Sequence, residues 1–233
     1  GKILALTHTY TGYPMVKQAK QFLKSGALGK IRKIYVEYPQ GWLSTLLEAA
    51  GNAQASWRTD PKKSGKAGAM GDIGTHAFQL ARFISQQKLS AVSADLTSFV
   101  DGRPVDDNVH AMLRFENGLK GMLWSSQVAP GCENGLRIRL FGDKASIEWA
   151  QENPNELWFG ELNKPRQRIT RRGDIGSDIA ARGMRTPGGH PEGYLEAFAT
   201  IYHGFVRAAA ACAGSLASSS KRATASGSRL AAV

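Results

Sequence analysis

Cysteine is almost missing from this sequence: Cys132 and Cys212 stand alone in 233 residues. Two cysteines without metal-like spacing build neither a disulfide framework nor a thiolate metal site, and both read as structural or incidental. Long apolar runs are missing too. No stretch reaches the roughly 18 consecutive apolar residues of a membrane span, and Gly1-Lys2-Ile3-Leu4-Ala5 turns polar too soon for a signal peptide. The expected location is the cytoplasm, with no membrane partner. No Gly-x-Gly-x-x-Gly follows a strand pattern, and no Gly-Lys-Ser or Gly-Lys-Thr closes the glycine-rich stretch near residue 70. An independent nucleotide-binding fold is thereby excluded.

Acidic residues are scarce, 19 against 30 basic ones for a net charge of +11. The excess is local. Seven basic and two acidic residues lie between Lys164 and Arg185, and four basic and no acidic ones lie from Arg207 to Val233. The rest is close to neutral and has no basic stripe interleaved with aromatics, so a connection and a tail make the chain basic rather than a binding face. A nucleic-acid binder is the least favoured function class, and no nucleic-acid partner is expected.

What is present is an ordinary globular composition, 42% hydrophobic and 21% charged, enough for a substantial core. Ile3 to Thr9 has the apolar, β-branched character of a buried strand. Pro14 suits a first helical turn, Met15, Val16, Ala19, Phe22 and Leu23 repeat at helical spacing, and Gly26 and Gly29 end that helix. Ile31 to Tyr38 is the next strand. Gln40 to Gly68 is polar, glycine-dotted and aromatic at Trp42 and Trp57, which marks a long functional loop with about one helical turn. Met70 to Ile84 carries Ile73, Ala77, Leu80, Ala81 and Ile84 on one side of a helix of about four turns. Six short β-rich runs follow between Ser90 and Gly160, with Asn117-Gly118 and Gly142-Asp143-Lys144 as tight turns. Asn163 to Gly189 is a basic connection and Pro191 to about Ala211 a closing helix; from Ala213 the chain loses its period and has no reason to fold. The fold class is α+β: an open, mainly antiparallel sheet with helices on one face, preceded by a strand-helix unit that looks like the end of something earlier.

The stretch from Ser64 to His76 drives a glycine-rich loop into a helix and sets Asp72 and His76 one turn apart on one face. An acid near a helix start stays ionised, and beside an imidazole it fixes the tautomer and favours the protonated form, a device for moving a proton. The bland alternative is a helix-capping Asp72 with a satisfied, buried His76. Gly65, Gly68, Gly71 and Gly74 weigh against it, because they let a backbone or a ligand come close.

Trp57-Arg58-Thr59-Asp60-Pro61, followed by Gly71-Asp72-Ile73-Gly74-Thr75-His76, resembles the family of glucose-fructose oxidoreductase, inositol dehydrogenase and their MocA-like relatives. Lys24-Ser25-Gly26-Ala27-Leu28-Gly29-Lys30-Ile31 and Pro191-Glu192-Gly193-Tyr194-Leu195-Glu196-Ala197-Phe198 are similar to it too, in the same order. The resemblance implies an NAD- or NADP-binding Rossmann domain followed by an α+β domain whose open sheet packs in homo-oligomers. It implies a parent enzyme that moves a hydride between that cofactor and a hydroxyl or carbonyl of a sugar, cyclitol or related polyol. Residues 1–12 then correspond to the last strand of a truncated Rossmann domain, 13–212 to the substrate and oligomerisation domain, and 213–233 to a disordered or aberrant tail. The family's Glu-Lys-Pro lysine falls ahead of Gly1, so the chain alone is expected to be inactive. The run from Ala217 to Arg229 departs from the family in the manner of a truncated or frame-shifted gene.

Carried onto the matching positions, the resemblance makes His76 the general base for the hydroxyl proton and Asp72 the residue that orients it. Trp57 and Arg58 would reach over the nicotinamide, and Tyr10 would contact substrate. His190, just ahead of the closing helix, is a further candidate for a polyhydroxylated substrate. The structural alternatives are a core tryptophan with a surface arginine at 57 and 58, and a tyrosine that only packs the strand end at 10. His8, His110 and His203 read as structural, and Trp124, Trp149 and Trp158 as core or sheet-face residues. The competing function is a non-catalytic oligomerisation or binding module whose glycine-rich loop is only structural.

Overall fold

The helical spacing after Pro14 closes into α1, Pro14–Lys24, with proline in its first turn and Gly26 and Gly29 at φ 75° and 68° ending it. The computed structural model describes residues 3–171 and 178–227. After α1 come β1 (Lys33–Pro39), the short helices α2 (Ala53–Arg58) and α3 (Pro61–Ser64), and a π-helical turn, Met70–Gly74, that runs directly into α4 (Thr75–Ser85). Seven further strands follow: β2 (Leu89–Thr97), β3 (Asn108–Phe115), β4 (Lys120–Ser126), β5 (Arg137–Phe141), β6 (Ala145–Ala150), β7 (Glu156–Glu161) and β8 (Gln167–Thr170). A short α5 (Asp178–Ala181) precedes the closing α6 (Tyr194–Gly227).

All eight strands form one open sheet in the order β2-β3-β4-β1-β5-β6-β7-β8. Every neighbouring pair is antiparallel except β1 and β4, which run parallel. Asn117-Gly118 makes the expected tight turn between β3 and β4, with Gly118 at φ 85°. Alternation along the strands sends Ile34, Val36, Leu113, Leu123, Ile138, Leu140, Ile147 and Leu157 to one face. There they pack beneath α1 and α4, against Met15, Val16, Ala19, Leu80, Ala81 and Ile84. Tyr13 and the buried Trp149 meet with ring centroids 5.3 Å apart. Among the described residues no helix covers the centre of the opposite face, where Met112 and Met122 are 57% and 54% exposed. The α+β class with helices on one face is therefore observed.

Three expectations are corrected. Residues 3–8 form no strand: Leu4 and Leu6 are 87% and 70% exposed, and a 3₁₀ turn, Thr9–Gly12, takes over where burial begins. Apolar, β-branched character alone does not make a strand, since the backbone needs a neighbouring edge to bond to and no strand of this sheet pairs with the segment. β8 lies inside the basic connection and was not expected; it is a short, charged edge strand, with Arg168 on Glu156 of β7 at 3.1 Å. Finally, α6 continues through the alanine- and serine-rich segment to Gly227 instead of stopping near Ala211. Alanine is the strongest helix former, so loss of amphipathic period does not end a helix that contains no proline.

Leu140 lies fully buried near the end of β5, beneath the helical layer. Leu140→Ala is expected to lose about 2–5 kcal/mol of unfolding free energy, measured by urea denaturation, because the rigid sheet collapses little around the void.

Candidate functional site

Placing β1 between β4 and β5 gathers four strand ends at one edge of the core. In the register, Pro39 of β1 faces Ser126 of β4, and Arg137, at the start of β5, faces both Glu37 of β1 and Ala150 of β6. Polar residues next to those ends therefore converge: Tyr38 in β1 and Gln40 after it, Gln127 after β4, Asn134 before β5 and Gln151 after β6. The π-helical turn, the 3₁₀ turn and α2 close over them with Asp72, His76, Tyr10, Trp57 and Arg58.

The glycine-rich loop is clasped by Asp106. Its carboxylate accepts from Gly68 N–H at 2.7 Å and Met70 N–H at 2.8 Å, and its carbonyl accepts from Ala69 N–H at 2.8 Å. A Cβ on Gly68 would fall 2.0 Å from that carbonyl oxygen, so this glycine is needed for close approach of two backbones. In the following turn Thr75 N–H donates to Met70, one residue further back than in an α-helix. Such single π turns insert an extra residue and re-aim the side chains around them.

Asp72 turns toward Arg58 and Gln127, whose Nε and Nε2 donate to the same carboxylate oxygen at 3.0 and 2.8 Å. It is not a helix cap, and among the described residues it shares no hydrogen bond with His76. His76 instead places its Nδ1 3.4 Å from Nδ1 of His8, with Tyr10 edge-on at 5.3 Å between ring centroids. Burial pushes the His76 imidazole below its ordinary value, the neighbouring His8 pushes the same way, and the charge of Asp72 opposes both and loses. Burial thus tips the resting imidazole toward its neutral form, while Asp72 favours the protonated one in the direction expected.

Two cavities meet at this point. The larger, about 500 Å³, is lined by Tyr10, Tyr38, Gln40, Trp42, Asn134, Gln151 and Tyr194. The second, about 360 Å³, is lined by Trp57, Ser64, Lys66, Ala67, Gly68, Gly71 and Thr75. Arg58, Asp72 and His76 belong to both walls. In the larger cavity the hydroxyls of Tyr10 and Tyr38 bond to each other, and Tyr38 donates to Asn134 Oδ1 at 2.6 Å. Gln40 Nε2 donates to the same oxygen at 3.0 Å, and Asn134 Nδ2 donates to Gln151 at 2.8 Å. Burial raises both tyrosines above their ordinary value, so the row is uncharged. In the second cavity Trp57 is 42% exposed, not core, and the Arg58 guanidinium lies 4.2 Å over its ring. The loop bearing these groups is held by the buried Arg103, which donates to the carbonyls of Leu43 and Thr45 and to the carboxylates of Glu48 and Asp107 at 2.8–3.1 Å.

Of the sequence candidates, Asp72, His76, Arg58, Trp57 and Tyr10 are brought together. His190 is not: it is exposed and lines neither cavity, and its backbone serves its own loop, the carbonyl accepting from Arg171 and the N–H donating to the Pro187 carbonyl at 3.2 Å, beside the Arg171–Glu192 pair at 3.1 Å. Proximity in sequence to the closing helix was misleading, since Tyr194, four residues on, reaches the cavity instead. Sequence reasoning missed Tyr38, Gln40, Gln127, Asn134, Gln151 and His8. An aromatic-polar cluster after a strand, Tyr38 to Trp42, was the one available signal; Asn134 and Gln151 carry none, because only sheet register unites them.

Comparison with known proteins gives a consistent picture. A model of the GFO/IDH/MocA C-terminal domain matches residues 16–148. An uncharacterized oxidoreductase of Bacillus subtilis, YfiI, is 35% identical over 204 residues, which are 87% of this chain and 52% of that protein. An inositol dehydrogenase homolog from Azotobacter vinelandii, solved with NADH and myo-inositol, has a TM-score of 0.80 at 31% identity and covers 88% of this chain and 52% of its own. Levoglucosan dehydrogenase, in complex with NADH and levoglucosan, has a TM-score of 0.79 at 27% identity, covering 89% and 57%. The chain thus spans about half the length of these relatives.

His8 and His76 both titrate below the 6.5 of an unperturbed histidine, and burial is the leading cause for each. Between those lowered values and 6.5 the unfolded chain binds more protons than the folded one, so stability is complete above pH 6.5 and declines as pH falls below it. The melting temperature is expected to begin dropping there, ahead of carboxylate protonation, and to drop less steeply in His76→Gln. Parallel curves for the two proteins would count against a neutral, buried imidazole.

Proposed function

The chain belongs to the GFO/IDH/MocA family, and from that premise we propose that it is the substrate-side half of an NAD- or NADP-dependent oxidoreductase. Its substrate is a sugar, cyclitol or related polyol, oxidised at a hydroxyl or reduced at a carbonyl. The observation that carries this reading is His76 at the seam of two cavities of different chemistry. The larger wall is a row of neutral donors and acceptors with the aromatic rings of Tyr10, Trp42 and Tyr194, which suits the hydroxyls and C–H faces of an uncharged ring. Among the described residues its charges are Arg58 and Asp72, which already pair with each other. The myo-inositol and levoglucosan bound by the relatives are uncharged ring compounds of this kind.

The second cavity fits the nicotinamide end of the cofactor. Trp57 offers an exposed planar ring, Arg58 a fixed cation, and Gly68 and Gly71 a stretch of wall without side chains. Bound there, the nicotinamide would supply the hydride acceptor or donor. The remainder of the dinucleotide is, in this reading, held outside the described residues.

The chain's own residues manage the proton. Neutral His76 takes it from the substrate hydroxyl as the carbinol carbon is oxidised, and returns it to the carbonyl oxygen in reduction. Asp72, held still by Arg58 and Gln127, favours the imidazolium once it forms, so burial keeps the base free at rest and Asp72 supports its charged form during the step. Tyr10, Tyr38, Asn134 and Gln151 hold the other hydroxyls and choose which carbon faces His76.

The uncovered sheet face supports a second role, association with another copy of the chain. A mostly apolar hollow of about 630 Å³ there is lined by the exposed His110, Met112 and Met122 and the half-buried Tyr35, Trp124 and Arg139 among others. Met112→Lys combined with Met122→Lys is expected to convert an oligomer to monomer in sedimentation velocity without loss of helix content; an unchanged sedimentation coefficient would remove this role.

For the principal reading, the chain joined to a nucleotide-binding domain is expected to reduce NAD or NADP with a member of a sugar and cyclitol panel. His76→Ala should cost roughly 10²–10⁴ in kcat. A wild-type protein that folds and turns over no member of the panel would sink it.

A further inference from the structure

Trp42 and Gln40 both line the larger cavity, and the hydrogen bond between them decides what the rest of that wall can offer. An indole N–H donates and cannot accept. Its bond to Gln40, at 3.1 Å, therefore fixes the amide oxygen as the receiving atom. The Gln40 amide nitrogen is then the end that meets Asn134, at 3.0 Å, and the Asn134 atom that receives it is Oδ1. Tyr38 reaches the same oxygen at 2.6 Å, so the Tyr38 hydroxyl donates there. A phenol has one proton to give. With that proton spent on Asn134, Tyr38 accepts from Tyr10, and the proton of Tyr10 is spent in turn. The other end of Asn134 agrees, since its Nδ2 donates to Gln151 Oε1 at 2.8 Å. Burial raises both tyrosines above their ordinary value, so neither escapes this order by ionising.

We propose that this row, polarised by the Trp42 indole, leaves Tyr10 only as an acceptor toward the cavity, and that the substrate is a vicinal diol whose second hydroxyl donates to Tyr10. The inference rests on the reading of the larger cavity as the substrate site. The Tyr10 ring stands edge-on to His76 with centroids 5.3 Å apart, and both line that cavity. A hydroxyl that meets His76 therefore has its neighbour on the ring beside Tyr10.

The two hydroxyls then have different fates. The one on His76 gives up its proton while the carbon that bears it gives hydride to the nicotinamide of the proposed reaction. The one on Tyr10 keeps its proton, because a neutral phenol accepts a hydrogen bond and is far too weak a base to take the proton itself. The product is an α-hydroxy carbonyl compound. A ring with an ether, a carbonyl or a fluorine beside the reacting carbon brings lone pairs against the lone pairs of Tyr10 and is disfavoured. Trp42 acts on that oxygen only through Gln40, Asn134 and Tyr38, which makes it a positioning residue, with the Arg58 guanidinium 5.8 Å over its ring.

The first test needs neither substrate nor cofactor. Neutron diffraction from crystals of the chain exchanged into heavy water locates each deuterium. The expected result is one on the Tyr10 oxygen aimed at Tyr38, and one on the Tyr38 oxygen aimed at Asn134. A Tyr10 deuterium aimed into the cavity overturns the proposal. The second test uses the protein that turns over, comparing the best substrate of the panel, myo-inositol first, with its fluorodeoxy analogue carrying fluorine beside the reacting carbon. Fluorine slows hydride loss in any protein, so the quantity to read is the change in its penalty between proteins. Trp42→Phe and Tyr38→Phe each keep a ring in place and release the Tyr10 proton, so one serves if the other fails to fold. In either, the penalty on kcat/KM is expected to fall roughly tenfold, the weight of one neutral hydrogen bond. General damage to the fold lowers both substrates alike, and an unchanged ratio in a folded variant overturns the proposal. A failed dehydrogenase reading shows itself separately, as a parent protein without turnover whose deuterium positions still stand.

Discussion

The insertion of β1 between β4 and β5 is the constraint from which the site follows. β1 comes first in sequence yet occupies the middle of the sheet, parallel to one neighbour and antiparallel to the other. Only that arrangement sets the C-terminal ends of β1, β4 and β6 and the start of β5 at the same edge. Backbone hydrogen bonds fix the register to within a residue, because a one-residue slip would turn Ile34, Val36, Ile138 and Leu140 out of the core. The positions of Tyr38, Gln127, Asn134 and Gln151 are thus set by burial of apolar residues beside them. The cavity is stiff because the sheet that carries it cannot shift without losing its core.

On this floor the acid and the imidazole divide their work differently than a bare Asp-x-x-x-His spacing suggests. A helix-face pair in water would attract and protonate the imidazole. Here Arg58 and Gln127 take up the carboxylate, and the His76 ring is enclosed by Tyr10 and His8. Desolvation opposes a charge on the ring more strongly than an already neutralised acid supports it. The outcome is an imidazole tipped toward its neutral form with an anion close enough to favour its charged one.

How much of this was legible in the sequence depended on whether the signal was local. α1, α4 and the strand runs from β2 to β7 show in spacing and turn residues; the glycines around Asp72 and His76 mark that pair as a candidate site, and Trp57 and Arg58 join it only through the family resemblance. The misses share a cause in tertiary context. Residues 3–8 have strand composition but no edge to join, β8 is too short and charged to stand out, and α6 persists on alanine propensity after its period fades. Asn134 and Gln151 become neighbours of Tyr38 only through register. His8 has no local mark, since its meaning lies in a ring 68 positions away.

The segment from Gln40 to Gly68 raises the remaining physical question, since it carries Trp42, Trp57 and Arg58 but buries few apolar side chains, Leu43 and Ala55 chief among them. Hydrophobic burial cannot by itself hold so polar a stretch in one conformation against its backbone entropy. Arg103 does so instead, binding two loop carbonyls and Glu48 while Asp107 neutralises it from the sheet side and accepts from the backbone of Phe99 and Val100 at 2.9 and 3.1 Å. A buried ion pair contributes little net stability against a well-packed apolar substitute, but losing one partner costs about 3–5 kcal/mol. That asymmetry suits a site: the network adds small stability to the fold while making every loosened arrangement of the loop expensive. Asp106, the residue just before Asp107, likewise holds the glycine turn by accepting from the backbone of Gly68, Ala69 and Met70. Adjacent acids ahead of β3 therefore fasten the start of this segment and the glycine turn at its end to the rigid sheet, and the geometry of the candidate site depends on this pair as much as on the residues that line it.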